Sequence, residues 1–371
     1  MTIERELVRI AMSFTAGIII SALAGGHLAA TSTTSGTIAL TITAVCTAHL
    51  LYQKDKELNS KLLWMTITIL FLCLGFFISD TERLFTLSNA NCLSGISDYA
   101  VSFGENLAKT IGGIPFEDPD SNSLITALIT GERSGLSKET IDIFRTSGAS
   151  HILALSGLHL GIIYGILRAI FSVFGGGKRQ KTMSTAALIL ICGFYTLATG
   201  ASASITRAFL FISLNGIASI TGRFRSTGSI LWTALLLQLF FSPESASDVG
   251  FQLSYAAMAG IAYIYPHIKK LWPERSIGTV DKGLKWIWNS AALSIACQIT
   301  TGPLAWIYFG TFPQYFLLTN LIALPLVGLI IPSSLAVVGL HACGICPDIL
   351  VKALESLISG LEFCLGTIAD L

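Results

Sequence analysis

Two histidines stand eight residues apart in the string His151-Ile-Leu-Ala-Leu-Ser-Gly-Leu-His159, with Ser156 and Gly157 between them. Histidine gains or loses a proton near neutral pH and can donate or accept hydrogen bonds. A serine three residues before a histidine can touch it on a helix, which is the spacing a nucleophile and its base would use. Further polar groups interrupt other apolar runs. Arg207 ends the string Thr199-Gly-Ala-Ser-Ala-Ser-Ile-Thr-Arg207, and Asp248 and Gln252 lie in Asp248-Val-Gly-Phe-Gln-Leu-Ser254. Gln298 opens Gln298-Ile-Thr-Thr-Gly-Pro303, and Asn320 lies in Leu318-Thr-Asn-Leu-Ile-Ala-Leu-Pro325. Ionisable and polar side chains are expensive in apolar segments and by default face a bundle interior or a water-filled path. Asp248 and Gln252 are four apart and share a helix face, and Arg207 with Asp248 has the charges of an ion pair.

The elements that carry these groups are membrane helices. The chain has 371 residues, 52% hydrophobic and 12% charged, with a mean hydropathy of +0.70. Soluble domains average roughly 25% charged residues. Apolar runs of spanning length recur along the whole chain, so the expected class is an all-α polytopic membrane protein with about eleven transmembrane helices. In rough ranges these are 10–30, 36–52, 61–79, 150–174, 183–200, 203–221, 227–242, 249–266, 287–309, 315–340 and 349–369. The first lacks a strongly basic start and is read as a retained helix, not a signal peptide. Ser156-Gly157 weakens the fourth, which reads as a broken or re-entrant segment lining a cavity. Gly302-Pro303 is read as a break in the ninth, with Pro325 and Pro332 as candidate breaks in the tenth. The eight cysteines fall mostly in apolar runs and form no disulfide framework. Cys343-Gly-Ile-Cys346 is a single pair in a short loop and reads as packing, so no metal and no cofactor is expected.

Basic residues alternate between loops: Arg5 and Arg9; Lys54, Lys56 and Lys61; Lys178, Arg179 and Lys181; Arg223 and Arg225; then Lys269 to Lys285. The positive-inside rule puts the N-terminus in the cytoplasm and, with an odd number of spans, the C-terminus outside. His151, Arg207 and Asp248 then begin their spans from the outer side, with Gln298 and Asn320 placed deeper. Three parts are expected: N-terminal transmembrane helices (1–79), a short extracytoplasmic insertion with amphipathic helices (80–149), and a transmembrane core (150–371). Within the insertion, Ser121-Asn-Ser-Leu and Ser137-Lys-Glu-Thr140 carry helix-start signals.

These clusters together resemble the ComEC competence family. The residues that carry the likeness are Ala127-Leu-Ile-Thr-Gly-Glu-Arg133, His151 to His159, Thr199 to Ala208, Asp248 to Ala257, and Pro303 through Phe309-Gly310 to Asn320 and Pro325. The likeness covers roughly residues 120–340. It implies a bacterial inner (cytoplasmic) membrane channel that passes single-stranded DNA to the cytoplasm during natural transformation. The implied partners are single-stranded DNA, the lipid bilayer, a periplasmic DNA receptor, and a cytoplasmic helicase or single-strand-binding proteins. A separate nuclease and a homo-oligomer stay open. Members often carry an OB-like domain and a metallo-β-lactamase-like domain. Ser79 to Asp120 is too short for a full OB barrel, and no His-x-His-x-Asp-His string occurs, so the chain is read as no enzyme. No P-loop string occurs either, so the driving force is expected from elsewhere.

A DNA path needs cationic or donor-rich walls and stacking platforms. The candidate lining is His151, Ser156, Gly157, His159, Arg207, Asp248, Gln252, Gln298 and Asn320. Two other readings stay open. A small-molecule or ion transporter would also use broken helices with polar pockets. An intramembrane hydrolase would use Ser156 with a histidine, though no G-x-S-x-G elbow is present.

Overall fold

Apolar runs of helix length dictate what the computed structural model shows. It describes residues 2–23, 43, 47, 58–85, 94–173, 177–222, 226–272, 279–310 and 314–371, and among these no strand occurs. In chain order the helices are α1 (Thr2–Leu23), α2 (Leu58–Phe85), α3 (Ser94–Gly112), α4 (Pro119–Thr130), α5 (Lys138–Thr146), α6 (Ser150–Leu153), α7 (Gly157–Ser172) and α8 (Lys178–Ala198). There follow α9 (Ala203–Ile220), α10 (Thr227–Phe241), α11 (Val249–Ala259), α12 (Tyr265–Lys269), α13 (Thr279–Phe309), α14 (Phe316–Ala342) and α15 (Asp348–Ala369). Four described helices are long and apolar enough to cross a membrane: α8, α9, α13 from Asp281, and α14. Shorter apolar stretches are Leu63–Phe76, Gly157–Ser172 and Thr227–Phe241. The expected span at 36–52 lies almost wholly outside the described residues.

The chain divides into two compact units, one of residues 1–94 and 224–255, the other of residues 95–223 and 256–371. In the first, α1 packs on α2 and α10. The α1–α2 crossing is set by two glycines. A Cβ on Gly17 would overlap the Leu72 carbonyl oxygen, and one on Gly75 would overlap that of Phe14. Small residues that let backbones approach this closely are a common device of helix pairs in membrane proteins. Ser226 caps α10 by accepting from Ser229 N–H at 3.1 Å and donates to the Glu4 carboxylate at 2.7 Å.

In the second unit the main core surrounds α14. Ala323, Val327, Ile330 and Ile331 join Leu124, Ile125 and Leu128 of α4, Phe144 of α5, and Ile152 and Leu153 of α6 in one buried cluster. α15 completes it with Val351, Leu354, Ile358, Leu361 and Leu365, whose alternating steps of three and four make one apolar stripe. The two predicted helix starts before residue 150 fare differently. Ser137 caps α5, accepting from Thr140 N–H at 3.1 Å. The helix expected from Ser121 instead begins at Pro119, because the Asp118 carboxylate caps it at 3.1 Å and proline's fixed φ suits the first turn. Ser121 is buried within it.

The expected breaks at Gly302-Pro303, Pro325 and Pro332 are absent: α13 and α14 run through all three prolines. Each proline removes one ladder donor, a loss that helices in a membrane bundle tolerate where neighbours and local adjustments re-satisfy the freed carbonyl. The irregularity lies elsewhere, in a π turn at Gly260–Ile264 between α11 and α12. There Gly260 sits flush on α13: a Cβ would overlap the Ala296 carbonyl and come within 2.7 Å of Thr300 Oγ1.

Candidate functional site

The expected break in the histidine-bearing segment is present. α6 ends at Leu153, Ala154 is extended (φ −78°, ψ 130°), and Ser156 (φ −125°, ψ 172°) opens α7. Ser156 Oγ accepts from Leu158 N–H at 3.3 Å. His159 Nδ1 accepts the backbone N–H of Ser156 at 3.2 Å and lies 3.0 Å from Ser156 Oγ. A ring nitrogen that accepts a backbone N–H is unprotonated, so the neutral imidazole carries its proton on Nε2. That Nε2 is buried with no hydrogen-bond partner, in a residue 1% exposed. His151 is exposed in α6, its Nδ1 3.2 Å from the Gly148 carbonyl.

Arg207 is the fifth residue of α9 and 1% exposed, heading the largest fully buried side chains. Gly157 lies against α9, where a Cβ would stand 3.4 Å from Ala208 Cβ. The start of α7 and the second turn of α9 thus meet through small residues, with Arg207 beside the contact in sequence. Leu160, Cys192 and Ile205 pack beneath it. A guanidinium buried among apolar helices is costly unless its donors are satisfied.

Asn320 is the fifth residue of α14, as Arg207 is of α9. Its Oδ1 is buried without a hydrogen-bond partner. Gln298 lies about eleven residues from the end of α13, about 16 Å at 1.5 Å per residue. It is half-buried, and at two residues from both Ala296 and Thr300 it lies on the other side of α13 from the Gly260 crossing.

Asp248 and Gln252 belong to the other compact unit. Asp248 Oδ2 accepts from Phe251 N–H at 2.8 Å, the geometry of a helix cap at the head of α11. Gln252 Nε2 donates to the Ala246 carbonyl at 2.9 Å. Both therefore have local structural duties.

Three participants escaped sequence reasoning. Thr319 donates its hydroxyl to the Ser147 carbonyl at 2.6 Å, tying α14 to the loop before α6. Tyr195 of α8 donates to the Ile129 carbonyl in α4. The Leu155 side chain fills the space over Gly131, whose φ of 83° suits glycine, so the Ala127–Arg133 string touches the broken segment. The spacing within each string gave no sign of these contacts, because each joins residues far apart in the chain.

Comparison with known proteins bears on this arrangement. The family model described as Competence protein matches residues 128–371. The chain is 33% identical over 139 residues to ComE operon protein 3 of Bacillus subtilis, covering 37% of this chain and 17% of that protein. It is 26% identical over 211 residues to Competence protein ComA of Neisseria gonorrhoeae, covering 56% and 28%. It is 23% identical over 258 residues to Recombination protein 2 of Haemophilus influenzae, covering 68% and 32%. The matched stretches thus span at most about a third of these relatives' length. No solved structure matches the chain. The family match takes in the broken histidine segment, Arg207, Gln298 and Asn320, and the chain belongs to the competence protein family.

Proposed function

We propose that this chain forms a conduit for single-stranded DNA across the bacterial cytoplasmic membrane during natural transformation. What supports the reading is the family match over residues 128–371, which takes in the junction of α7 and α9 with the buried His159 and Arg207 at the heads of apolar helices. A strand needs donors and positive charge along its path, and weak contacts let it move on. The remaining lining in this reading is His151, Ser156, Gly157, Gln298 and Asn320. The assignment of about eleven spans, a cytoplasmic N-terminus and an outer C-terminus belongs to the same proposal. So do an outer insertion over 80–149 and partnership with a DNA receptor and a cytoplasmic motor.

The test is DNA import in a strain deleted for the gene, following labelled DNA separately outside and inside the cytoplasmic membrane. DNA that accumulates outside and fails to reach the cytoplasm, with rescue by the wild-type gene, supports the conduit. Unchanged cytoplasmic import in the deletion strain overturns it. His159→Ala and Arg207→Ala, inserted normally, then report on the lining.

One observation favours a second reading. The 3.0 Å approach of Ser156 Oγ to His159 Nδ1 is the contact a serine nucleophile needs. The same nitrogen accepts the Ser156 backbone N–H, however, and Oγ accepts from Leu158 N–H, so the pair is fully accounted for as a capping box. Covalent labelling of Ser156 by a serine-directed fluorophosphonate would favour the hydrolase.

A further inference from the structure

The helix α3 was not foreseen from the sequence and has no part in the reading above. Its C-terminal end is anchored. Ile111 is buried in the main core with Ile114, and Asn122 of α4 donates to the carbonyls of both, at 2.8 and 3.1 Å. Gly104 lies against α8, where a Cβ would overlap the Ala198 carbonyl oxygen. The buried face is thus Ala100, Gly104 and Ile111.

A second stripe, beside that face, is apolar and open. Ile96 is 56% exposed, Tyr99 69% and Phe103 46%, at steps of three and four that align them on one flank. Tyr99 and Phe103 both pack on Phe194 of α8, with ring centroids 6.2 and 5.3 Å apart. Phe194 stands one turn from the end of that span, and on the same helix Leu190 is 73% exposed, as a lipid-facing residue would be. The open stripe of α3 therefore continues the apolar outer surface of α8. Aromatic rings gathered one turn from a span's end mark the level of the membrane–water interface.

The opposite flank is polar, with Asp98, Ser102, Glu105 and Lys109. Glu105 and Lys109 border an open cleft of about 560 Å³ lined also by Asn122, Thr126 and Glu132. With three charges in nineteen residues, α3 is unsuited to crossing the bilayer.

We infer that α3 is an in-plane membrane anchor: Ile96, Tyr99 and Phe103 are buried among lipid headgroups and upper acyl chains, at the end of α8 remote from Lys178, Arg179 and Lys181. A helix with one apolar and one charged face lies in the interface in this way. Its polar flank then holds the cleft at the water boundary. The lipid surface is the occupant because the stripe runs without interruption into the exposed face of a span.

The test uses the full chain in vesicles of phosphatidylethanolamine and phosphatidylglycerol. One of two photoactivatable phospholipids is added, its diazirine near the headgroup or near the acyl terminus, and insertion is mapped by mass spectrometry. Ile96, Tyr99 and Phe103 should be labelled severalfold more by the shallow reagent than by the deep one, with Glu105 unlabelled. Leu190 of α8 serves as the lipid-exposed control. Stronger labelling of α3 by the deep reagent would overturn the inference, as would no labelling by either while Leu190 reacts. In the double variant Tyr99→Glu with Phe103→Glu, labelling of Ile96 should fall severalfold while that of Leu190 stays. Undiminished labelling of Ile96 would also overturn it.

Discussion

Thr319 Oγ1 donates to the carbonyl oxygen of Ser147 at 2.6 Å across 172 residues of sequence, and both residues are buried. This bond fixes the first turn of α14, and with it Asn320, against the loop that leads into the broken histidine segment. Thr319→Val keeps the shape but leaves the Ser147 carbonyl without a donor. An unsatisfied buried acceptor costs about 1–3 kcal/mol. The thermal midpoint of the purified protein should fall, and Thr319→Ser should restore most of it. An unchanged midpoint in the valine variant would mean another group satisfies Ser147.

The capping box separates two roles for Ser156. As a cap, Ser156→Ala should cost about 1 kcal/mol and lower DNA import only partially. As a nucleophile, its loss would abolish activity outright. Import assays on normally inserted protein should show the partial effect. Complete loss with normal insertion would move the hydrolase reading ahead.

His159 has one ring nitrogen committed to the cap and one free to donate. His159→Ala should remove both and abolish or severely lower import. His159→Asn offers a shorter side chain that can take over the cap contact without reaching as far as Nε2, so it should restore insertion and stability more than transport. Equal recovery of stability and import in the asparagine variant would show that capping is the whole role.

Gly260 meets α13 so closely that any Cβ collides with backbone. Gly260→Ala should force α13 away from the π turn at a cost of about 1–3 kcal/mol, as overpacking does. Because Ala296 and Thr300 form that crossing and seat the helix that also carries Gln298, import should fall along with stability. Measuring both for Gly260→Ala and for Gly283→Ala, where a Cβ meets open space, separates the collision from the loss of a glycine. Similar effects at the two positions would refute the steric account.

What the sequence made legible was local. The broken segment followed from Ser156-Gly157, and the cap on α5 from Ser137-Lys-Glu-Thr140, because caps depend on neighbours two or three residues away. The family resemblance rested on the same strings. Proline misled: Pro303, Pro325 and Pro332 mark weakened helix ladders, yet neighbouring helices decide whether such a ladder opens. Asp248 drew attention as half of an ion pair, while its position immediately before Val249 had already placed it where a cap belongs. The tie from Tyr195 to Ile129, the seat of Gly260 and the aromatic contact of α3 with Phe194 were hidden, since each depends on which helices become neighbours.

The burial of α4 and α5 against α14 and α15 has a consequence for synthesis. Leu124, Ile125, Leu128 and Phe144 leave the ribosome about 200 residues before Val327 and Ile330 that cover them. At translation rates of about 5–20 residues per second this is a wait of roughly 10–40 s. During that interval the apolar faces of α4 and α5 lack the helices that cover them in the finished fold.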